Sequence, residues 1–514
     1  MKSASSASHD YRSPIKRQRI IKFSSYRRAL LKIACVVALA VLGLPAADTV
    51  YDVVIENGRV MDPESGLNAV RNVGILAGKI QAISSAPLAG RTKIDAQGLV
   101  VSPGFIDLHE HGQKPENYKY QAHDGVTTSL ELEVGTDDVD KWYAERQSKA
   151  LINFGVSIGH IPVRMKVMND PGDFLPRGDA AHRAATPEQL AEIERRMETG
   201  LQRGALALGM GINYTAAATH SEIVDMFRIA ARHQASVHVH LRYAGVREPE
   251  TGLAALEEVI AAAASTGAPL HVVHISSMGL KETPRLIEMV AGAQKRGLDV
   301  TTECYPYTAA STELSSAMFD EGWQDRMAIT YHDLEWSATG ERLTAESFVK
   351  YRKQDGLVVM FAIPDEAARA AVANPIVMIA SDGVPIDGPK IHPRGQGTFS
   401  RVLGHYVREE KALDLMTALR KMTLMPAQRL EKRAPAFRNK GRIRVGADAD
   451  ITVFDPDRII DKATYEEPLQ YSEGIQFVLV NGTLVVKDGK FVEGVFPGRT
   501  ARAPIASKKV INPT

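Results

Sequence analysis

The sequence predicts an α/β protein built on a (β/α)8 barrel of the TIM type, with a small β-sandwich formed by the N- and C-terminal segments. Across the middle of the chain, short apolar runs alternate with helical stretches, and such alternation implies a parallel sheet. Eight units in roughly 330 residues fit a closed barrel with insertions. At both ends of the chain, short strands joined by tight turns indicate an all-β domain instead.

The apolar runs in the middle of the chain have the lengths of buried barrel strands. They cover residues 99–108, 126–132, 156–161, 205–210, 236–241, 270–275, 298–303 and 376–380. The intervals carry helix signals, such as the N-cap Thr186, the first-turn proline Pro187 and the capping-box glutamine Gln189. The longest interval, residues 309–375, exceeds what a crossover needs, so we expect an insertion there that shapes the mouth of the active site.

The terminal segments carry the strand patterns of the sandwich. Asn57-Gly58 and Asn481-Gly482 are hairpin-turn pairs beside apolar runs. Because two all-β segments at opposite ends of a chain can pair, we expect them to form one domain. The expected divisions are an export signal at residues 1–47, the sandwich at 48–102 and 438–500, the barrel at 103–437 and a tail at 501–514.

The first residues have the character of an export signal. Lysines and arginines are frequent up to Lys32, an apolar run follows over residues 33–44, and Pro-Ala-Ala comes next at residues 45–47. The run is shorter than the roughly 20 residues that span a bilayer. An arginine pair at residues 27–28 resembles a twin-arginine signal, which predicts a periplasmic protein without a stable membrane partner after signal removal. An ordinary secretion signal and an N-terminal membrane anchor are the alternatives.

The composition excludes several classes of protein. The chain has 514 residues, of which 44% are hydrophobic, so neither disorder nor a fibrous repeat is indicated. A net charge of +1 gives no electrostatic reason to expect a nucleic-acid partner. The two cysteines, Cys35 and Cys304, cannot form a disulfide framework. The expected partner is a small molecule, and the sequence does not indicate an oligomeric state.

Histidines and an aspartate follow several predicted strands, where a barrel of this kind has its active site. His109 and His111 lie two residues apart after the first strand and therefore point to the same side of it. One strand can in this way offer two imidazoles to one metal ion. The fifth strand ends at His240, the sixth at His274 and the eighth at Asp382. A single buried histidine is more often a hydrogen-bonded core residue, but the joint position of these residues at strand ends favours a metal site.

Three motifs carry a resemblance to a known family. They are Pro-Gly-Phe-Ile-Asp-x-His-x-His at residues 103–111, His-Pro-Arg at residues 392–394, and the segment from Gly441 to Asp450 that leads into the last β-segment. With these motifs the chain resembles the amidohydrolase superfamily, and within it the D-aminoacylases (N-acyl-D-amino-acid deacylases), over nearly all of residues 51–498. The resemblance implies a metal-dependent hydrolase of carbon–nitrogen bonds other than ordinary peptide bonds, with a small carboxylate-bearing amide as its substrate.

The resemblance also implies one or two divalent ions, expected to be zinc, bound by His109, His111, Glu133, His240, His274 and Asp382. D-aminoacylases place a bridging cysteine at the end of the second strand, where this chain has Val134. Because zinc accepts oxygen as well as sulfur, a carboxylate can replace the thiolate. We prefer Glu133, nearer the mouth, over Glu131. Residues 205–210 contain no lysine, so we set aside the carbamylated lysine that bridges metals in other superfamily members.

The implied substrate site differs from the family pattern at one position. Arg394 fits the arginine that binds the substrate carboxylate, and Tyr305 or Tyr307 fits the tyrosine. The lysine that follows the sixth-strand histidine is replaced by Ser-Ser-Met at residues 276–278. Asp382 is expected to take a proton from the attacking water and to return it to the departing nitrogen.

Other functions stay open at this point. The string His-Ile-Ser-Ser at residues 274–277 resembles hydantoinases and dihydroorotases and favours a cyclic-amide hydrolase, and a dipeptidase would use the same chemistry. A non-catalytic exported binding protein is the remaining alternative. Asp382 argues against it, because a binding protein needs no proton shuttle.

Overall fold

The structure is a computed structural model that describes residues 49–506 except 355, 387 and 389. The predicted export signal, residues 1–47, lies outside the described residues.

The middle of the chain forms the predicted barrel, a parallel sheet of eight strands whose fold class is confirmed. In barrel order its strands are β6 (Phe105–Asp107), β7 (Val126–Thr136), β8 (Asn153–Gly159), β9 (Ala207–Gly211), β10 (Ser236–His240), β11 (Leu270–Val272), β12 (Val300–Cys304) and β17 (Val377–Ile379). The residues just after the first and last of these strands close the ring. Asp382 N donates to His109 O at 2.7 Å, and His111 N donates to Gly383 O at 2.8 Å. Closure therefore joins two of the segments that were predicted to carry the active site.

Helices cover the outside of the barrel. The helix Pro187–Gln202 begins with the predicted capping box, in which the Thr186 side chain accepts from Gln189 N. It turns Ile193, Met197 and Leu201 toward the barrel core. None of the helices in the described part of the chain has the length and apolar character needed to cross a membrane. The α-helices are Pro115–His123, Val139–Arg146, His160–Met168, Asp179–His182, Pro187–Gln202, His220–Arg232, Gly252–Thr266, Ile275–Gly279, Thr283–Lys295, Trp323–Met327, Ala345–Tyr351, Asp365–Ala373, Arg394–Arg401, Leu415–Met422 and Leu424–Leu430.

The two terminal segments pair, as predicted, into one domain built on a nine-stranded sheet. Its central contact is between the strands Val100–Pro103 and Ile451–Phe454, which run antiparallel with Val101 opposite Val453. Asn481 and Gly482 form a turn with positive φ, as expected of a hairpin pair. The strands are β1 (Val50–Asp62), β2 (Leu67–Leu76), β3 (Lys79–Ser84), β4 (Ala89–Asp95), β5 (Val100–Pro103), β18 (Ile451–Phe454), β19 (Ile475–Val480), β20 (Thr483–Lys487) and β21 (Lys490–Phe491).

The first apolar run, residues 99–108, was predicted to be one barrel strand, but it forms strands in two domains. Its first part is β5 of the terminal sheet, and its second part is the barrel strand β6. The chain changes sheets at Gly104, whose N donates to Asp450 O at 2.8 Å. A Cβ at Gly104 would lie 2.2 Å from the Thr127 side chain, so only glycine fits there. Apolar character alone could not show this division.

The expected tail is partly ordered against the barrel. Ala501 N donates to Phe154 O at 2.7 Å and Ala503 N to Gly204 O at 3.1 Å. Both alanines are buried in a cluster with residues of the barrel strands and of the helix Leu424–Leu430. Residues 501–506 thus form part of the packed structure, and residues 507–514 lie outside the described residues.

The long interval after the seventh strand is the predicted insertion. Its described part contains a four-stranded antiparallel sheet, three short α-helices and two 3-10 helices. The strands are β13 (Ala310–Glu313), β14 (Leu334–Trp336), β15 (Glu341–Arg342) and β16 (Leu357–Met360). Strands β13 and β16 line the pocket above the barrel, so the insertion does form the mouth.

Candidate metal centre

The imidazoles of His109 and His111 face each other at the end of β6. Their Nε2 atoms are 3.2 Å apart. The Nδ1 of His109 lies 2.7 Å from Glu303 Oε1, and the Nδ1 of His111 lies 2.6 Å from Glu131 Oε2. A carboxylate at Nδ1 selects the tautomer with hydrogen on that nitrogen, so each Nε2 is left with a lone pair directed inward. Two such lone pairs suit a cation that both can coordinate.

Glu133 is the carboxylate that the other groups share. One oxygen, Oε2, is 2.8 Å from His109 Nε2 and 3.4 Å from His111 Nε2. The other oxygen, Oε1, is 3.0 Å from His240 Nδ1. Glu131 lies on the same face of β7, but its Oε2 is hydrogen-bonded to the Nδ1 of His111. The structure thus gives the two carboxylates different positions and places Glu133, which we preferred, at the centre.

Asp382 completes the first group of potential ligands. Its Oδ1 is 3.4 Å from the Nε2 of both His109 and His111. The backbone of Asp382 has φ +52°, and that of His274 has φ +30°. Both angles lie in the left-handed region, which non-glycine residues rarely adopt and which is concentrated at functional sites. The backbone is therefore strained where these two side chains turn inward.

The donor atoms fall into two groups that meet at Glu133. His109, His111, Glu133 and Asp382 offer atoms that all lie within 4.8 Å of one another, and the same holds for Glu133, His240 and His274. Among the described residues, the Nε2 of the buried His240 has no hydrogen-bond partner, and no group other than Glu133 Oε1 pairs with its Nδ1. Buried polar atoms without partners are costly unless something binds them. Nitrogen and oxygen donors in this arrangement fit one or two divalent cations such as zinc, with Glu133 common to both groups of donors.

The pKa shifts of His109 and Glu133 also favour a bound cation among the first group of donors. Burial alone would lower the pKa of His109, but the charge of Asp382 and the hydrogen bonds to Glu133 and Glu303 raise it well above its ordinary value. Burial alone would raise the pKa of Glu133, but hydrogen bonds to His109, His111 and His240 hold it well below. The carboxylates around His109 thus favour positive charge at this position, and a bound dication would supply it in place of the imidazole proton.

Glu303 is a functional residue that the sequence analysis missed. It lies at the end of β12 and connects His109 Nδ1 to His271 Nε2, at 2.7 and 3.0 Å. His271 therefore supports the carboxylate that orients His109. The ring of His238 packs against that of His271 in a tilted arrangement, with ring centroids 4.5 Å apart. The position of a glutamate at a strand end could have indicated Glu303. The sequence did not show its role, because its histidine partners lie on other strands.

The predicted substrate residues divide into one group beside the metal centre and one residue outside it. Arg394 is buried, with Nη1 2.9 Å from Asp382 Oδ2 and its guanidinium carbon 4.8 Å from the centre of the Tyr305 ring. Arg394 and Tyr305 both line the pocket. Tyr307 lies under Arg401 instead, 5.0 Å from ring centre to guanidinium carbon, and is not among the lining residues. The structure therefore favours Tyr305 over Tyr307.

Apolar side chains surround this polar centre. The pocket encloses about 550 Å3, its open mouth included. Val134 is one of the lining residues, and Ser277 and Met278 line the pocket beside His274. The remaining apolar walls come from a loop after β8 and from the insertion: Phe174, Leu175, Met318, Leu357 and Met360.

Comparison with known proteins agrees with this architecture. A model of the amidohydrolase family matches residues 92–492. The N-acyl-D-glutamate deacylase of Alcaligenes xylosoxydans xylosoxydans is 30% identical over 485 residues, which cover 84% of this chain and 93% of the relative.

Solved structures give the same result. The N-acyl-D-glutamate deacylase of Bordetella bronchiseptica, in complex with zinc and a phosphonate mimic of the tetrahedral intermediate, has a TM-score of 0.74 at 27% identity. A D-aminoacylase with a binuclear metal centre has a TM-score of 0.75 at 25% identity. Each comparison covers 88% of this chain and 100% of the other. The predicted resemblance is thereby confirmed, and this chain belongs to the amidohydrolase family.

Proposed function

We propose that this protein is a zinc-dependent deacylase of N-acyl-D-amino acids. The observation that carries the proposal is Glu133, one carboxylate shared by two groups of metal donors, with Asp382 and Arg394 in contact beside it. Relatives that share this fold over nearly their whole length are an N-acyl-D-glutamate deacylase with zinc and a D-aminoacylase with a binuclear centre.

The chain's own residues define where the ion or ions would be held. One would lie among His109, His111, Glu133 and Asp382, and a second among Glu133, His240 and His274. When bound, such an ion activates water for attack and polarises a carbonyl group. Glu131 and Glu303 fix the orientation of the two β6 imidazoles through their Nδ1 atoms.

Asp382 is the proton-transfer group in this proposal. Burial alone would raise its pKa, but the charges of Arg394 and His109 hold the pKa below its ordinary value. The carboxylate is therefore ionised and can accept a proton from the attacking water at Oδ1, on the side of the metal donors. It then gives that proton to the departing amide nitrogen.

Arg394 fixes the position of the substrate. Its Nη2 donates to Ser311 O at 3.2 Å, and its Nε has no hydrogen-bond partner among the described residues. A substrate carboxylate can therefore bind the free edge of the guanidinium while Nη1 stays with Asp382. This contact holds the scissile amide next to Asp382, so the loss of the substrate's translational and rotational entropy occurs on binding and not in the chemical step.

A panel of substrates tests the proposal. Purified protein with zinc is assayed on N-acetyl derivatives of D- and L-amino acids, on hydantoins and on dipeptides. We expect hydrolysis of N-acetyl-D-amino acids, with the L-enantiomers at least about tenfold slower in kcat/KM. Preferred hydrolysis of hydantoins would support the cyclic-amide alternative, and preferred hydrolysis of dipeptides would support the dipeptidase. A zinc-replete protein that is inert on the whole panel would favour a binding protein.

We also propose that the protein is exported to the periplasm. The support is the basic segment, apolar run and small residues of positions 1–47, with the arginine pair at residues 27–28. Replacing both arginines by lysine is expected to retain the protein in the cytoplasmic fraction. Export of the double variant at the normal level would support an ordinary secretion signal. An alkaline-extracted membrane fraction that keeps the wild-type protein would support the anchor.

A further inference from the structure

His392 is a buried histidine near the metal pocket that has no part in the proposed mechanism. It is fully buried and is not among the residues that line the pocket. Its Nδ1 accepts a hydrogen bond from Arg394 N at 3.1 Å, and its Nε2 donates to Ala309 O at 2.9 Å. Because an amide N–H only donates and a carbonyl oxygen only accepts, these contacts fix a neutral ring with its hydrogen on Nε2. The ring therefore connects Arg394 to the first residue of the insertion.

The surroundings of His392 favour this neutral form. The rings of Tyr305, Tyr307 and Tyr465 lie edge-on around the imidazole, with centroids 5.2–6.1 Å from its own. Burial and the charge of Arg394 lower the pKa of His392 well below its ordinary value. A protonated ring would carry hydrogen on both nitrogens and could not accept from a backbone N–H. The neutral ring keeps its acceptor, so the connection between the helix and the insertion is maintained.

His392 supplies a hydrogen bond that the helix Arg394–Arg401 cannot supply itself. The first N–H groups of a helix have no acceptor within it, and Arg394 N is the first of them here. Pro393, the N-cap residue, makes no side-chain hydrogen bond to this end of the helix. The Nδ1 of His392 is the acceptor instead. Since this bond fixes where the helix begins, it also fixes the base of the Arg394 side chain.

The insertion contacts the far end of the same arginine. Arg394 Nη2 donates to Ser311 O at 3.2 Å, and Ser311 follows Ala309 by two residues in the chain. Ser311 belongs to β13, which is paired with β16 of the insertion. Residues 309–311 thus hold the base of Arg394 through His392 and hold its guanidinium group directly.

The position of this arginine has a large effect on the binding of a carboxylate. Arg394 is the one lysine or arginine among the described residues that line the pocket. A guanidinium group binds a carboxylate best through two parallel hydrogen bonds, and these depend on its direction as well as its distance. A small displacement of Arg394 should therefore weaken carboxylate binding, with no other lysine or arginine on the described walls to replace it.

We propose that His392 is a positioning residue for substrate binding: it joins the start of the helix Arg394–Arg401 to the insertion and so directs the guanidinium group into the pocket. This rests on the proposed function, in which Arg394 binds the substrate carboxylate. His392 is not a lining residue and supplies no metal donor. Loss of its two hydrogen bonds should therefore weaken substrate binding and leave the chemical step nearly unchanged.

The test separates binding from chemistry in the zinc enzyme. His392→Phe keeps an aromatic ring but loses both hydrogen bonds, and KM for N-acetyl-D-leucine should rise at least about tenfold while kcat changes less than about threefold. The inhibition constant of the product D-leucine should rise with KM, because the product carries the same carboxylate. Zinc stoichiometry, measured on the same sample, should stay at the wild-type value.

Two further variants test the two hydrogen bonds separately and do not depend on the folding of His392→Phe. The oxygen of an asparagine can take the place of Nδ1 as acceptor, and the nitrogen of a glutamine can take the place of Nε2 as donor. Since each keeps one bond, His392→Asn and His392→Gln should each raise KM at least about threefold at nearly constant kcat. The exposed His332→Phe, in the same insertion, is the matched control and should keep the wild-type KM.

Wild-type KM in the folded His392 variants, with an active wild-type enzyme, would overturn the positioning role and leave the deacylase intact. A fall in kcat at constant KM would also overturn it, because it would place His392 in the chemical step. A zinc-replete wild-type enzyme that hydrolyses no N-acetyl-D-amino acid would contradict the proposed function, and the positioning role would fail with it.

Discussion

At the scale of single residues, side chains two positions apart on one strand have different functions. Glu131 and Glu133 both face the barrel interior, yet Glu131 hydrogen-bonds the outer nitrogen of His111 while Glu133 joins the two donor groups. Sequence spacing put both on one face of the strand and favoured Glu133 only because it is nearer the mouth. The distances to His109 and His240 decide between them.

The difference between the two glutamates can be measured as zinc affinity. We expect Glu131→Gln to weaken zinc binding about 10- to 100-fold, as is usual when a partner of a metal-binding imidazole is lost. Glu133→Gln should weaken it further and remove the second ion, because an amide oxygen carries no charge to share between two cations. Competition with a chromogenic chelator gives both affinity and stoichiometry. A larger loss in Glu131→Gln than in Glu133→Gln would reverse the assignment.

Asp382 has a separate expected outcome. Asp382→Asn should keep the fold and at least one zinc ion but lower kcat by about 10²- to 10⁴-fold, because an amide cannot accept the proton of the attacking water. Steady-state kinetics and metal analysis on the same sample check this. Asp325→Asn, at a side chain that is 83% exposed, is the control. Near-normal turnover in Asp382→Asn would exclude its role in proton transfer.

At the scale of elements, the loop after the helix His160–Met168 is organised by one carboxylate. Asp170 accepts from four backbone N–H groups of residues 172–180. Arg164, itself buried, holds the far part of the same segment by donating to Ala180 O and Arg183 O. No regular helix or strand runs through residues 169–178, so these polar contacts take the place of secondary structure in positioning Phe174.

The loop therefore depends on the ionisation of Asp170. Burial alone would raise the pKa of Asp170, but the four backbone donors hold it below its ordinary value. Its folded pKa is thus lower than its unfolded pKa, so the stabilisation is complete above the unfolded pKa of about 3.9 and is lost as the pH falls through the folded value. We expect proteolysis within the loop to accelerate below about pH 4 in the wild type.

A substitution at Asp170 should have the same effect at neutral pH. Each hydrogen bond to a charged group contributes about 1.5–3 kcal/mol, so losing several should raise local opening at least about tenfold. Asp170→Ala is expected to raise KM more than it lowers kcat, because Phe174 loses its position while the metal donors keep theirs. Asp179→Ala, at a side chain that is 60% exposed in the same segment, should leave proteolysis and KM unchanged. Equal behaviour of the two variants would contradict this account.

At the scale of the whole molecule, Asp450 joins the barrel to the terminal sheet. Its carboxylate accepts from Lys440 Nζ at 2.6 Å, from Asn153 Nδ2 at 3.0 Å and from Asn481 N at 2.7 Å. Asn153 belongs to the barrel strand β8, and Asn481 follows β19 of the terminal sheet. The charge of one buried residue therefore ties together segments that are far apart in the chain.

Removal of this carboxylate should destabilise the whole chain. Asp450→Ala leaves the ammonium group of Lys440 buried with Asp448 as its remaining partner at 3.2 Å. We expect a loss of about 3 kcal/mol in the free energy of unfolding, as for other broken buried ion pairs. Chemical denaturation measures it, with the exposed Asp457→Ala as the control. A change below about 0.5 kcal/mol would mean that the junction is held mainly by apolar packing.

Local patterns along the chain were enough to predict the class of fold and most of the inward-facing residues. Periodicity and turn signals predict the barrel and the paired terminal segments, because local patterns of burial depend only on spacing along the chain. The strand ends at His109, His111, His240, His274 and Asp382 could be predicted for the same reason. Their joint use as metal donors was suggested by the resemblance.

The partners of these residues could not be predicted in the same way, because they depend on how the strands are brought together. Distances between different strands show that Glu303 contacts His109 and that Glu133 lies between the two donor groups. They also favour Tyr305 over Tyr307 as a residue of the pocket. The division of residues 99–108 between two sheets also depends on how the strands are brought together. Spacing along a strand fixes the face on which a side chain lies, whereas contacts between strands and loops are set by how the chain closes on itself.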